Sequence, residues 1–132
     1  MRLLLDTHIA FWLVVEPETL SRAEQVFVAV PDAELAVSVI SLWELRIKWQ
    51  RPFVSGVRKL PASPADMLAL WTNAGIPIAD LTADVVIAEL MPAFAHSDPF
   101  DELLLMHAQQ TGRRLLTRDR KIADHPIALV AA

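Results

Sequence analysis

Five carboxylates stand where apolar runs of the chain end or where the next helix begins. Asp6 ends the first apolar run, Glu44 lies five residues past the second, and Asp119 follows the fourth. Asp98 and Asp101 open the helix that precedes this fourth run. Ligands bind beyond the carboxyl ends of strands in a parallel sheet, so these acids are expected to converge on one crevice.

Carboxylates held together repel one another, and each raises the pKa of its neighbours unless a cation neutralises them. Oxygen ligands without His or Cys favour Mg²⁺ or Mn²⁺, and such an ion supports an in-line displacement at phosphorus. Each acid also has a structural interpretation. Asp6, Asp98 and Asp119 suit helix N-caps, Asp101 suits a helix dipole, and Glu44 suits an i,i+4 pair with Lys48.

The elements that must position these acids alternate between strand and helix. This alternation predicts an α/β fold, in which right-handed βαβ units build a parallel sheet covered on both faces. The predicted strands are Leu3–Leu5, Leu35–Val39, Ile76–Leu81, Arg114–Thr117 and Ile127–Val130. Pro77 places the third of these at an edge of the sheet or at a strand start.

Start and stop signals predict the helices between those strands. Thr7–Val15 is apolar nearly all round and indicates a buried helix. Ser21 with Glu24, and Ser41 with Glu44, fit the capping-box spacing. Further helices are predicted from Ser63 or Pro64 to Gly75, from Thr82 onwards, and from the Asp98 cap to Gly112.

Composition predicts one soluble domain over residues 1–132, because hydrophobic residues make up 54% and charged residues 21%. The longest apolar run, Ile9–Val15, is far short of the roughly 20 residues of a spanning helix. Asp6 interrupts any signal-peptide core, and the chain has no cysteine, which fits a cytoplasmic protein. Three glycines exclude a P-loop or a dinucleotide fingerprint.

The net charge of −4 conceals a local basic pattern, since ten of the twelve Lys and Arg residues lie in two short segments. We call Arg46–Lys59 the first basic cluster and Arg113–Lys121 the second. Such clusters bind phosphates even on an acidic protein, although two solvated faces would have the same sequence.

Four motifs together resemble the acidic motifs of PIN domains, and most closely those of VapC-type toxins, the ribonucleases of bacterial toxin–antitoxin pairs. The resemblance covers about residues 2–125. The motifs are Leu-Leu-Leu-Asp6-Thr-His, Ser41-Leu-Trp-Glu44-Leu, His96-Ser-Asp98-Pro-Phe-Asp101 and Leu-Leu-Thr117-Arg-Asp119.

The resemblance implies a three-layer α/β/α fold with strand order 3-2-1-4-5. It also implies a Mg²⁺ or Mn²⁺ site in which Asp6 and Asp101 are the most direct ligands and Glu44 and Asp119 are supporting acids. Thr117 matches a small hydroxyl residue beside the last acid. Asp98 matches a secondary acidic position, and Glu102 stands where the family usually has Arg.

The resemblance further implies an RNA substrate, a homodimer, and a VapB-like antitoxin partner in a higher assembly. Arg46, Lys48, Arg118 and Arg120 are then candidate contacts for RNA phosphates. Apolar residues beside the predicted site are candidates for an antitoxin groove: Leu42, Trp43, Ile47 and Trp49, with the stretch Arg51–Pro64.

The sequence therefore predicts a metal-dependent endoribonuclease that acts as a toxin. One alternative is a phosphoaspartyl-type phosphatase, but that chemistry needs a second Asp where this chain has His8. Another alternative is a PIN-like module that binds RNA or a protein partner without catalysis.

Overall fold

The first strand, β1 (Arg2–Leu5), lies at the centre of a five-stranded parallel sheet in a computed structural model that describes residues 1–131. The other strands are β2 (Glu34–Ser38), β3 (Ile78–Ala79), β4 (Arg114–Leu116) and β5 (Ala128–Leu129). The strand order is β3-β2-β1-β4-β5, which confirms the predicted α/β class and strand order. Pro77 precedes β3 at one edge of the sheet, as predicted.

Within the described residues, seven α-helices connect and cover the strands. They are α1 (Thr7–Val15), α2 (Arg22–Ala29), α3 (Val39–Gln50), α4 (Pro64–Asn73), α5 (Ala83–Ile87), α6 (Pro99–Gln110) and α7 (Arg120–Ala123), with a 3₁₀ turn at Pro17–Thr19. None of the helices within residues 1–131 is both long enough and apolar enough to cross a membrane.

Alternate residues of the strands enter two separate apolar cores, because successive side chains of a strand point to opposite faces. Leu3 and Leu5 join one core with Trp71 of α4, whose indole nitrogen donates to the carbonyl of Ala10 at 2.8 Å. Leu4 joins the other core with Leu104 of α6. Helices therefore cover both faces of the sheet and hold the carboxyl ends of its strands at one edge.

The predicted cap of α3 is wrong. Ser38, at the end of β2, is the N-cap and accepts a hydrogen bond from the backbone N–H of Ile40 at 3.1 Å. Ser41 lies inside the helix and is buried, and its hydroxyl contacts that of Thr7 at 2.8 Å. Both serines fit a capping signal, but the strand ends at Ser38 and the helix begins immediately.

The other predicted helix starts are confirmed. Ser21 and Ser63 close capping boxes on α2 and α4, Thr82 caps α5, and Asp98 caps α6 ahead of Pro99. Ser38 has a second role, since its hydroxyl contacts Nδ1 of the buried His107 at 2.8 Å. This contact fixes α6, and hence Asp101, relative to β2.

Candidate active site

A cleft of about 330 Å³ opens at the carboxyl ends of β1, β2 and β4. It brings together all four predicted site acids, although they come from four separate parts of the sequence. The cleft is lined by Asp6, His8, Glu44, Ile47, Lys48, Asp98, Phe100, Asp101, Asp119 and Lys121.

Asp6 is the most buried acid of the cleft, with only 9% of its surface exposed. One carboxylate oxygen accepts from the backbone N–H of Thr7 at 2.8 Å, and the other accepts from the hydroxyl of Thr117 at 2.7 Å. Burial raises the pKa of Asp6 above its ordinary value, although these hydrogen bonds lower it. The side chain is thus fixed in one orientation where a negative charge is costly.

Thr117 links two of the acids. Its hydroxyl donates to Asp6 and accepts from the backbone N–H of Asp119 at 3.0 Å. Asp119 in turn caps α7, because one of its carboxylate oxygens accepts from the backbone N–H of Lys121 at 2.9 Å. Within residues 1–131, the hydrogen bond that Asp119 accepts uses only one of its two carboxylate oxygens.

Glu44 enters the cleft from α3 and has two neighbours. One of its oxygens accepts from the Thr7 hydroxyl at 3.2 Å, and the other lies 3.2 Å from the ammonium of Lys48. The i,i+4 pair suggested by the sequence is therefore present within the candidate site. Lys48 supplies a positive charge against the acids.

Asp98 and Asp101 have different roles at the start of α6. Asp98 accepts from the backbone N–H groups of Phe100 and Asp101, at 2.9 and 3.4 Å, and so forms the predicted cap. Burial raises the pKa of Asp101 to about 7, with further contributions from the charges of Asp98, Asp6, Asp119 and Glu44. Asp101 is therefore repelled by every other acid of the cleft.

The donor set of the cleft suits a divalent cation in its chemistry. Carboxylate oxygens are the ligands that Mg²⁺ and Mn²⁺ prefer, and a cation would offset the repulsion that adds to the effect of burial on the pKa of Asp101. Within residues 1–131, no group of three or more His, Asp or Glu side chains has the spacing of a formed metal site. Mg²⁺ is commonly held by one or two carboxylates and several waters, so such a group is not required.

The basic candidates differ in position. Lys48 lines the cleft, whereas Arg46 on α3 and Arg120 on α7 are exposed. Arg118 contacts the buried carboxylate of Glu24 through both Nε and a terminal nitrogen, and it also donates to the carbonyl of Thr19 at 3.1 Å. Its contact with RNA stays a prediction.

Three residues in or beside the cleft were not predicted as site residues. Thr7 contacts Asp6, Ser41 and Glu44, and its place directly after the first acid was a usable signal. His8 and Lys121 line the cleft itself.

Comparison with known proteins decides the family. The sequence model of the PIN domain matches residues 3–127. The chain belongs to the PIN-domain family. It is 32% identical to Ribonuclease VapC22 of Mycobacterium tuberculosis over 129 residues, which covers 92% of this chain and 90% of the relative.

Solved structures support the PIN fold. VapBC2 from Rickettsia felis, bound to a DNA fragment from its promoter, has a TM-score of 0.68 and 18% identity, covering 98% of this chain and 97% of that chain. DNA-bound VapBC from Salmonella typhimurium has a TM-score of 0.63 and 18% identity, covering 98% and 96%. At these identities the likeness concerns the fold alone.

Proposed function

We propose that this PIN-domain protein is a Mg²⁺- or Mn²⁺-dependent endoribonuclease that acts as the toxin of a toxin–antitoxin pair. One observation carries the proposal: the cleft that gathers Asp6, Glu44, Asp101 and Asp119 at the carboxyl edge of the sheet. The relative named a ribonuclease supports RNA as the substrate, because it matches nearly the whole chain.

Each acid has a role in this proposal. Asp6 and Asp101 would hold the cation directly, and Glu44 and Asp119 would support a second ion or the attacking water. A bound divalent cation supplies Lewis-acid stabilisation of a phosphodiester and lowers the pKa of water. Thr117 fixes the orientation of Asp6 through its 2.7 Å hydrogen bond.

Hydrolysis requires a water to attack the phosphorus while the 3′ oxygen leaves. Glu44 or Asp119 accepts the proton from this water. Both carboxylates line the cleft, and their contacts with Lys48 and with the backbone of Lys121 leave lone pairs that can take a proton. Lys48 holds positive charge in the cleft and is suited to a phosphate oxygen of the substrate.

The exposed Arg46 and Arg120 extend this positive charge on α3 and α7, outside the cleft. They would contact phosphates on either side of the cut, with Arg118 as a further candidate. Such contacts position the RNA backbone without reading its sequence.

An antitoxin partner is supported by the VapBC assemblies that share this fold, and an apolar surface beside the cleft fits such a partner. Trp43 is 51% exposed, and its ring centroid lies 5.4 Å from that of Phe100. These two rings line a small apolar hollow together with Pro99 and Leu103. A homodimer within a larger toxin–antitoxin assembly also belongs to the proposal.

A binding module without catalysis is the second candidate. The exposed Glu102, where the family usually has Arg, favours it by adding a negative charge on the helix that bears Asp101. The two candidates agree on the fold and differ in whether RNA is cut.

The test is RNA cleavage by purified protein with Mg²⁺, with Mn²⁺ or with EDTA, using total transfer and ribosomal RNA. We expect discrete fragments that need the metal. Asp101→Asn should reduce cleavage by about 100-fold or more, because it removes a direct ligand. The same variant should not lower the free energy of unfolding of metal-free protein, since it removes a repelled charge.

Asp84→Asn is the matched control, because Asp84 is exposed on α5 and lies outside the cleft. It should cleave like the wild type. Folded wild-type protein that binds RNA but does not cut it with either metal would support the binding module instead. Cleavage that survives Asp101→Asn would contradict the assigned site.

A further inference from the structure

An aromatic stack leads away from the cleft along α1. The ring of His8, which is exposed and lines the cleft, lies 5.6 Å from the ring of Trp12 with an interplanar angle of 21°. The two residues are four apart on the same helix and so share one face. The stack therefore ends in an aromatic ring that is accessible from the candidate active site.

The far end of the stack is anchored. The guanidinium of Arg118 lies 4.3 Å from the centroid of the Trp12 ring. Glu24, which is buried, accepts hydrogen bonds from this guanidinium, including one from Nε at 3.0 Å. Arg118 therefore holds the Trp12 ring in place, and His8 packs against this fixed ring.

A second cation lies at the edge of the His8 ring. The ammonium of Lys48 is 3.4 Å from Nε2 of His8 and 3.2 Å from Glu44. A nucleotide has an aromatic base and a charged phosphate, and the cleft offers an aromatic ring and a cation side by side. A site that recognises a simple anion has no need of this pairing.

We propose that His8 is a base-stacking residue, which receives a nucleobase of single-stranded RNA next to the phosphodiester in the cleft. The inference rests on the proposed function and names how its substrate is positioned. Trp12 and Arg118 are positioning residues, because they hold the ring without touching the base. Stacking tolerates every base, since each has a π-face, so His8 sets the position of the strand rather than its sequence.

The experiment measures the binding of a single-stranded oligoribonucleotide and of a series in which one nucleotide at a time lacks its base. All proteins carry Asp101→Asn, so that the RNA stays intact. In the protein that retains His8, loss of the base at one position should weaken RNA binding by about fivefold to tenfold, the lower part of the range for base–aromatic stacking.

Two substitutions at the same position distinguish stacking from other contacts. His8→Ala should bind the intact RNA about fivefold to tenfold more weakly. Removal of the base at the position that is sensitive in the protein with His8 should not weaken the binding of His8→Ala any further. His8→Phe keeps an aromatic face without ring nitrogens and should restore sensitivity to that position. Asn73→Ala, which removes an exposed side chain at the end of α4 and outside the cleft, should behave like the protein that retains His8.

Equal sensitivity to abasic positions with and without the His8 ring would overturn the proposal. So would weaker binding of His8→Ala to every RNA alike, because this would indicate a phosphate contact. If the protein that retains Asp101 cuts RNA but the effect of an abasic position does not depend on the His8 ring, base stacking is wrong and the proposed function stands.

Discussion

The two basic clusters look alike in the sequence and are used differently in the structure. Each has five basic residues within a short segment, and neither is rich in acids. The second cluster, Arg113–Lys121, spans β4 and the start of α7. The first, Arg46–Lys59, spans the second half of α3 and the irregular segment that follows it.

Much of the charge in the second cluster is bound to the fold. Arg114 donates to the backbone carbonyls of Pro126 and Ala128, at 3.4 and 2.6 Å, and so ties β4 to β5 and its approach. Arg118 is held by Glu24, which lies 94 residues earlier in the chain. These cations fasten segments together, whereas Lys121 is exposed and lines the cleft.

The first cluster is mostly exposed. Residues 51–59 are all exposed, and they combine Arg51, Arg58 and Lys59 with the apolar Phe53. The cations contact aromatic rings, with Arg58 at 4.7 Å from the Trp49 centroid and Lys59 at 5.6 Å from the Phe53 centroid. Acceptors elsewhere in the fold, the Glu24 carboxylate for Arg118 and two backbone carbonyls for Arg114, therefore give the second cluster a structural role that its sequence does not reveal.

The largest effect is expected from breaking the anchor of the second cluster. Burial raises the pKa of Glu24, but hydrogen bonds from Arg118 and Ser21 outweigh it and hold that pKa below 4.5. Glu24→Gln should therefore lower the free energy of unfolding at pH 7 by about 1–3 kcal/mol, as loss of a buried charged hydrogen bond does. Urea unfolding measures this change.

The pH dependence of that loss follows from the lowered pKa. A carboxylate with a depressed folded-state pKa stabilises the protein above its unfolded value and loses that contribution as the pH falls through the folded value. The difference between wild type and Glu24→Gln should thus be constant from pH 6 to 8 and shrink below about 4.5. The exposed pair Arg2–Glu34, 3.2 Å apart, is the matched control, and Glu34→Gln should cost less than about 0.5 kcal/mol.

A smaller effect, on RNA binding rather than on stability, is expected from the first cluster. The double variant Arg51→Gln/Lys59→Gln should weaken binding of single-stranded RNA by about threefold to tenfold. Its salt dependence should also be less steep, by up to about 1.4 in the log–log slope, or about 0.7 for each phosphate that is no longer neutralised. Binding titrations at several salt concentrations measure both quantities.

Stability should be unchanged within about 0.5 kcal/mol in that double variant, because both side chains are exposed. Arg22→Gln removes an exposed charge from α2, outside both clusters, and should leave the salt slope as it is. A slope that falls equally in the control would show that net charge, rather than this segment, governs the affinity.

The framework of the fold could be predicted from the sequence because its signals are local. Thr7–Val15 is a helix between the predicted bounds, since Asp6 caps it and Pro17 follows it. The order of the strands came from the resemblance, because no local signal specifies which strands are neighbours. The cap of α3 failed for a related reason: Ser41 has the capping-box spacing with Glu44, but β2 ends at Ser38 and the helix begins there, which no local signal specifies.

The candidate site was partly predictable for the same physical reason. Acids at strand ends must meet at one edge of a parallel sheet, and the cleft contains Asp6, Glu44, Asp101 and Asp119. Contacts between residues far apart in the sequence could not be predicted from the sequence. Nothing local pairs Glu24 with Arg118, and the exposed His8 has the same sequence signature as any surface histidine.

The smallest effect is expected from Arg58, which makes one of two cation–π contacts of similar geometry, one in each basic cluster. Arg118 lies 4.3 Å from the Trp12 centroid, and Arg58 lies 4.7 Å from the Trp49 centroid. Arg58 also donates to the carbonyl of Trp49, but it has no carboxylate within 4.0 Å among the described residues. Arg58→Met should therefore cost at most about 0.5–1 kcal/mol, the value of an exposed cation–π contact.

Arg118→Met should cost more than Arg58→Met, because it also leaves the buried carboxylate of Glu24 without its cation. The double variant Arg118→Met/Glu24→Gln should recover part of that loss, since the uncompensated charge is then gone. Urea unfolding of the variants measures these differences. Equal costs for the two single Met variants would mean that the aromatic contact, and not the remote carboxylate, accounts for the stabilisation, and the distinction between the two clusters would then fail.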